Sequence, residues 1–215
     1  HILLTRQLQD SKDLIQKFKS NGFKVSNLPL LEINKSDYNE IKIYNYNAII
    51  FTSSNAIRFL DLKNINKNIS CFCVGSHTEK TARSNGFQNV FSADGNVRNL
   101  KELVQQNLSV KDNKILYISG DVVSYPLDKD LISEGYNVER LINYTVKHNE
   151  KLDLSFLESL KKDMPNLVYV YSENSAKSFL KIIKKYELVD YWMNTNLMCI
   201  GEKTSSVLNV IKWKK

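Results

Sequence analysis

Three stretches of this chain recur later in the same chain, in the same order and at slowly widening spacing. Ile2-Leu3-Leu4, a helical stretch and Gly22-Phe23-Lys24-Val25 are answered by Ile115-Leu116-Tyr117, a helical stretch and Gly135-Tyr136-Asn137-Val138. Ala48-Ile49-Ile50-Phe51-Thr52-Ser53-Ser54-Asn55-Ala56 with Phe59-Leu60 is answered by Val168-Tyr169-Val170-Tyr171-Ser172-Glu173-Asn174-Ser175-Ala176 with Phe179-Leu180. Cys73-Val74-Gly75 with Thr78 is answered by Cys199-Ile200-Gly201 with Thr204. One such pair is noise, whereas three in the same order mark a duplicated half. For 215 residues, two related halves of roughly 100 residues each fit domain sizes better than one large sheet.

Each recurring unit couples a short run of branched and aromatic residues to a helix-period segment, the alternation of βα units around a parallel sheet. Strands are predicted at Ile2 to Thr5, Ala48 to Phe51, Cys71 to Val74, Ile115 to Ile118, Leu167 to Tyr171 and Leu197 to Ile200. Shorter ones are predicted at Lys24 to Leu28, Asn89 to Phe91 and Val138 to Tyr144. The fold class is therefore α/β, with two similar parallel-sheet domains of flavodoxin-like or Rossmann-like kind. Leu28 to Ile33 and Leu141 to Val146 follow the first βαβ of each repeat and read as extended strands, candidates for a paired connector. No Gly/Ser-rich linker interrupts the chain, so a hinged pair is expected.

A formal charge of +7 raises the question of nucleic acid. Arginine occurs only at Arg6, Arg58, Arg83, Arg98 and Arg140, and the many lysines are spread along the chain instead of forming a stripe. Spread charge argues for general attraction to anions and not for base recognition, so an anionic small molecule fits and a nucleic-acid partner is not expected. No run approaches the ~18 apolar residues of a membrane span, and no signal-peptide pattern is visible, so a cytoplasmic protein is expected. Cys71, Cys73 and Cys199 form no CxxC pair and sit in apolar runs, as buried reduced thiols do. The histidines are His1, His77 and His148, without metal-ligand spacing, and no metal is expected.

Ligands of open parallel sheets bind beyond the carboxyl ends of the strands. Those ends carry Thr5-Arg6, Thr52-Ser53-Ser54-Asn55, Gly75-Ser76-His77-Thr78, Ser119-Gly120-Asp121, Ser172-Glu173-Asn174-Ser175 and Gly201-Glu202-Lys203-Thr204. Hydroxyl and amide side chains there serve as helix caps, and the same turns aim backbone N–H groups at anions. Arg6, Ser53, Ser54, Asn55, Gly75, Thr78, Gly120, Asp121, Ser172, Asn174, Ser175, Gly201 and Thr204 are thus candidates for binding an anionic ligand. Neither GxGxxG after a strand nor GxxxxGK[ST] is present, which weakens nucleotide binding by those routes. Tyr144 lies on a predicted strand running between the halves and brings a phenol toward them, or else is a half-buried strand tyrosine. On these features a two-lobed cytoplasmic sensor or binding protein for an anionic small molecule stands beside an enzyme.

Taken together, these segments resemble the uroporphyrinogen-III synthase family over essentially the whole chain. The matching residues are Leu3-Leu4-Thr5-Arg6, Leu28-Pro29-Leu30 with Ile33, Ala48 to Ala56, Val74-Gly75 with Thr78, Ala82 and Gly86, and Gly120 followed by Leu131 and Gly135. They continue with Val138 and Tyr144-Thr145, Tyr171-Ser172 with Ser175, and Ile200-Gly201 with Thr204. The resemblance implies a first domain of residues 1–32 plus 147–215, a second of 35–141, and connector strands at 28–34 and 140–146. It also implies a cofactor-free lyase of heme biosynthesis; a monomer is expected because no obvious apolar surface helix is present. Its substrate would be hydroxymethylbilane, a carboxylate-rich linear tetrapyrrole, closed with ring D inverted and water lost.

By the same resemblance Tyr144 matches the tyrosine that helps the ring A hydroxyl leave. Thr78, Ser172, Ser53 and Thr204 match residues lining the substrate cleft, and Arg6 matches the basic residue after the first strand. The chain departs from the family where Ser172-Glu173-Asn174 replaces Ser-Pro-Ser and where Gly201-Glu202-Lys203-Thr204 replaces Gly-x-Thr-Thr. Glu173 and Glu202 would repel a carboxylate substrate and are expected to face solvent.

Overall fold

Strands with apolar cores, most of them leading into a helix, organise the computed structural model, whose described residues are 1–39, 45–63, 65–111 and 113–215. In chain order the elements are β1 (Ile2–Leu4), α1 (Leu8–Ser20), β2 (Val25–Asn27), β3 (Leu31–Lys35), β4 (Ala48–Phe51), α2 (Ser54–Arg58), β5 (Ser70–Val74), α3 (Gly75–Ser84) and β6 (Val90–Ala93). There follow α4 (Val97–Asn107), β7 (Lys114–Gly120), α5 (Leu127–Ser133), β8 (Asn137–His148), α6 (Leu154–Lys162), β9 (Leu167–Val170), α7 (Glu173–Lys185), β10 (Asn196–Cys199) and α8 (Glu202–Leu208). They divide into one unit of His1–Glu32 with Lys147–Lys215 and another of Ile33–Val146.

In the first unit the sheet order is β10-β9-β1-β2. All its pairings are parallel, with Leu3 opposite both Ser26 and Val168, and Val168 opposite Leu197. Helix α7 buries Ser175, Ala176, Ser178, Phe179, Ile182 and Ile183, the spacing of one helical face. Phe179 packs edge-on to Trp192 with ring centroids 4.9 Å apart, at the centre of a core shared with Leu3, Val168, Val170 and Leu208.

The second unit has the sheet order β3-β8-β7-β4-β5-β6. Its inner strands alternate between two cores. Ile49, Phe51, Cys71, Cys73, Leu116 and Ile118 face one, together with Ala56, Ile57 and Ala82 of α2 and α3. Ala48, Ile50, Phe72, Ile115 and Tyr117 face the other, with Leu100, Val104, Leu127 and Leu131 of α4 and α5. Burial on both faces is why these strands read as unbroken apolar runs. The order β8-β7-β4-β5 here matches β2-β1-β9-β10 in the first unit, strand for strand as the sequence repeat pairs them.

The connector differs in detail from its sequence reading. Pro29 has no N–H to donate, and β3 starts after it at Leu31; ahead of it Leu28 and Leu30 donate to the Leu4 and Thr5 carbonyls. On the other side the predicted strand and the predicted connector are one twelve-residue strand, β8. The pair is antiparallel, as Ser36 N–H donates to the Asn143 carbonyl (3.0 Å) and Asn149 N–H to the Leu30 carbonyl (2.9 Å). Cys71 and Cys73 are buried free thiols with sulfurs 3.7 Å apart, and Cys199 is partly buried. The hydrogen bond to Cys73, with burial, pushes the Cys71 thiol up, so it stays protonated. No helix among the described residues is long and apolar enough to cross a membrane.

Helix ends explain the recurring Gly-aromatic pairs. After α1, Gly22 (φ 81°) donates to the Lys19 carbonyl and Phe23 to Phe18; after α5, Gly135 (φ 91°) donates to Ile132 and Tyr136 to Leu131. Both are Schellman closures, which need a left-handed residue. Helix α7 ends in the same pattern, with Glu187 donating to Lys184 and Leu188 to Ile183, but the left-handed residue is Glu187 at φ 54°. A side chain there costs about 1 kcal/mol relative to glycine. Glu187→Gly, at an exposed position, is expected to stabilise the protein by up to about 1 kcal/mol in urea unfolding; a loss of stability would show that this closure is not strained.

Candidate active site

The pairing of β7 with β8 runs regularly from Lys114 opposite Asn137 to Ser119 opposite Ile142, then jumps to Gly120 opposite Tyr144. Asn143 is the extra residue of a β-bulge. In a regular strand, neighbouring side chains face opposite ways. Here Asn143 and Tyr144 are both buried, at 0% and 6% exposure, because the bulge turns the chain between them. The Tyr144 ring lies against the β7 backbone: a Cβ on Gly120 would stand 2.5 Å from its Cε2 and 2.8 Å from its Cζ. Glycine is required at position 120 by this approach. The Phe59 ring, tilted by 36°, has its centroid 6.2 Å from that of Tyr144.

Burial pushes the Tyr144 phenol above the ordinary tyrosine value, against hydrogen bonding to the Ser53 side chain and the Gly120 backbone. A tyrosine phenol keeps its proton at neutral pH, and one pushed higher keeps it more firmly, so it can serve as a donor and not as a base. Arg140 closes the end of β7, its Nε donating to Ser119 Oγ (2.8 Å) and its Nη2 to the carbonyls of Gly120 (2.7 Å) and Asp121 (3.2 Å). Asp121 works within the protein: its Oδ1 accepts from the N–H groups of Val122 and Val146, and its own N–H donates to the Tyr144 carbonyl.

The β4 turn supplies Ser53, whose hydroxyl accepts from Asn55 N–H (3.3 Å) as the cap of α2. Ser54 and Asn55 are buried in that helix, and Asn55 Oδ1 accepts from Arg58 (3.2 Å). Gly75 and Thr78 occupy the next turn, after β5; Gly75 has φ 75° with open space where a side chain would go, and Thr78 is buried in the first turn of α3. Of the candidates in this unit, the structure brings Ser53, Gly120 and Asp121 to Tyr144. Sequence reasoning missed Asn143, Arg140 and Tyr117. The Tyr117 hydroxyl is 3.1 Å from Thr52 Oγ1, so the adjacent residues Thr52 and Ser53 each engage a phenol. Tyr117 had a signal, since the repeat sets a tyrosine where the first half has Leu4.

The remaining candidates belong to the first unit. The Arg6 guanidinium lies 4.3 Å from the centre of the Tyr171 ring, a cation–π contact joining the turns after β1 and β9. Burial raises the Tyr171 phenol while the Arg6 charge opposes it. Ser172 caps α7 by accepting from Ser175 N–H (3.1 Å), and the two hydroxyls are 2.9 Å apart. Asn174 is half-buried and Ser175 buried. Gly201 precedes α8 in extended backbone, with Thr204 buried behind it. Glu202 is exposed, and the partly exposed Glu173 pairs with Lys177 at 2.6 Å.

Residues 12–215 match the family model described as uroporphyrinogen-III synthase HemD. A uroporphyrinogen-III synthetase from Helicobacter pylori is similar in structure, with TM-score 0.64 and 21% identity over 98% of this chain and 88% of that one. A mutant uroporphyrinogen III synthase from the extreme thermophile Thermus thermophilus gives TM-score 0.57 and 14% identity over 97% and 88%. No curated protein matches the sequence significantly. At these identities the solved structures speak for the fold, a pair of parallel-sheet α/β domains, while the family model covers nearly every element described above: the chain belongs to the uroporphyrinogen-III synthase family.

Proposed function

We propose that this chain closes hydroxymethylbilane to uroporphyrinogen III, inverting ring D and releasing water, with Tyr144 as the group that assists departure of the ring A hydroxyl. The family match over residues 12–215 carries the reaction. A non-catalytic sensor of anionic ligands is not favoured beside that match. The protein acts, in this reading, as a cytoplasmic monomer on a small molecule, without a cofactor, nucleic acid or membrane.

Departure of the hydroxyl as water needs a proton at its oxygen, and Tyr144, like any tyrosine phenol, holds one at neutral pH, which burial only secures further. Loss of water leaves a cationic azafulvene. Closure at the nearest free carbon would give the uninverted isomer, so the enzyme must hold the chain for attack by the substituted carbon of ring D. A spiro intermediate then fragments and recloses, returning a proton. Ser53, Ser54, Asn55, Gly75, Thr78 and Gly120 in one unit, and Arg6, Ser172, Asn174, Ser175, Gly201 and Thr204 in the other, are the groups we assign to the substrate carboxylates. Asp121 has its carboxylate engaged with backbone N–H groups and holds the turn in place. The exposure of Glu202 and the pairing of Glu173 with Lys177 reduce repulsion of an anionic substrate.

The test is a cyclisation assay: freshly generated hydroxymethylbilane is supplied, products are oxidised to porphyrins, and type I and type III isomers are separated. Enzyme-dependent type III is expected, whereas binding without conversion would support the sensor. Tyr144→Phe is expected to lower kcat by roughly 10²-fold, the range of one positioned acid, with an unchanged unfolding transition; wild-type turnover in a folded variant removes Tyr144 from the chemistry. Gly120→Ala places a methyl within 2.5 Å of the Tyr144 ring. It is expected to cost about 1–3 kcal/mol of stability by overpacking and to slow type III formation, and normal values of both would show that the ring moves aside freely.

A further inference from the structure

Helix α2 touches Tyr144 at both of its ends. Ser53, its cap, lies near enough to the phenol to hold its titration down against burial, and Phe59, which closes it by donating N–H to the Asn55 carbonyl, sets its ring 6.2 Å from the Tyr144 ring. Five residues hold little helix by themselves, so the position of α2 depends on what ties it down. Tyr38 holds the Phe59 end, its hydroxyl donating to the Phe59 carbonyl (3.2 Å). The middle is held from β8: Asn143 Nδ2 donates to the Ala56 carbonyl at 2.7 Å.

Asn143 is an unusual residue to keep there. It is fully buried, it is the inserted residue of the bulge, and its Oδ1 has no hydrogen-bond partner among the described residues. A buried amide oxygen without a partner is destabilising. The structure keeps that cost at the residue adjoining the phenol, where a single amide spans from the bulge to the helix cradling the ring.

We propose that Asn143 is the positioning residue of this site: its amide fixes α2 and, through Ser53 and Phe59, the phenol of Tyr144, without itself meeting substrate. The kinetic part of this rests on the reading of Tyr144 given above. Asn143→Leu keeps the shape and exchanges one unpaired oxygen, Oδ1, for another, the Ala56 carbonyl, so stability changes little while the tie to α2 is lost. Asn143→Ser, shorter and polar, removes the same tie should the leucine disturb folding.

The experiment combines kinetics with tyrosine titration by NMR on ring-labelled protein, Tyr144 being identified by the signal missing in Tyr144→Phe. In both Asn143 variants kcat for type III formation is expected to fall about tenfold or more with KM little changed. The Tyr144 titration moves further up, because the Ser53 side chain that holds it down shifts with α2. Asn143→Leu added to Tyr144→Phe costs nothing further. An unchanged Tyr144 titration in both variants, or losses that simply multiply in the double variant, overturns the proposal. Wild-type turnover in Tyr144→Phe overturns instead the reading of Tyr144 as the acid, and the titration still decides whether Asn143 sets the surroundings of the phenol.

Discussion

Parallel pairing is the constraint on which this structure depends. Because β4, β5 and β7 run side by side in one direction, their carboxyl ends emerge along one edge of the sheet, each feeding a helix through a short turn. Ser53, Gly75 and Gly120, far apart in sequence, stand in a row for that reason alone. The first unit repeats the arrangement with β1, β9 and β10, which aligns Arg6, Ser172 and Gly201. Crossovers between parallel strands must pass over a face of the sheet, so the same geometry that lines up the turns also buries both faces.

Regular pairing alone would not build the surroundings of Tyr144. A strand in strict alternation carries side chains to opposite faces, and the phenol would then sit in place of Asn143 or across the sheet from it. One additional residue on β8 changes this, and a missing side chain at Gly120 leaves room for the ring to lie on the neighbouring backbone. The two departures require each other: the bulge without the glycine would drive the ring into a Cβ, and the glycine without the bulge would leave a gap. Arg140 and Asp121 then fix the end of β7 through backbone groups, so charged residues beside the phenol serve to hold the turn.

Much of the scaffold was legible because its signals are local. Two-sided burial writes itself as apolar runs such as Ala48 to Phe51 and Ile115 to Ile118, and helix ends write themselves as Gly22-Phe23 and Gly135-Tyr136. The matching strand orders of the two units were readable from the repeat, since each paired segment occupies the same place in its sheet. The turn residues were readable as a class, though not in their separate duties: Ser53 and Ser172 first cap helices, and Asp121 binds backbone N–H groups. Asn143 and Arg140 were not readable, because nothing within a single strand tells how many residues its partner will set against it.

The amino-acid sequence by itself determined the α/β class, the duplication, the strands of both sheets and the position of Tyr144 on an extended segment, all of which follow from residue periodicity and turn chemistry along a few neighbouring positions. Tertiary structure decided that β8 gains one residue against β7, that the phenol rests on Gly120 beneath a short helix, and that Asn143 ties that helix down. Those features are relations between strands distant in sequence, set by register and by the space left between backbones, and no local pattern encodes them.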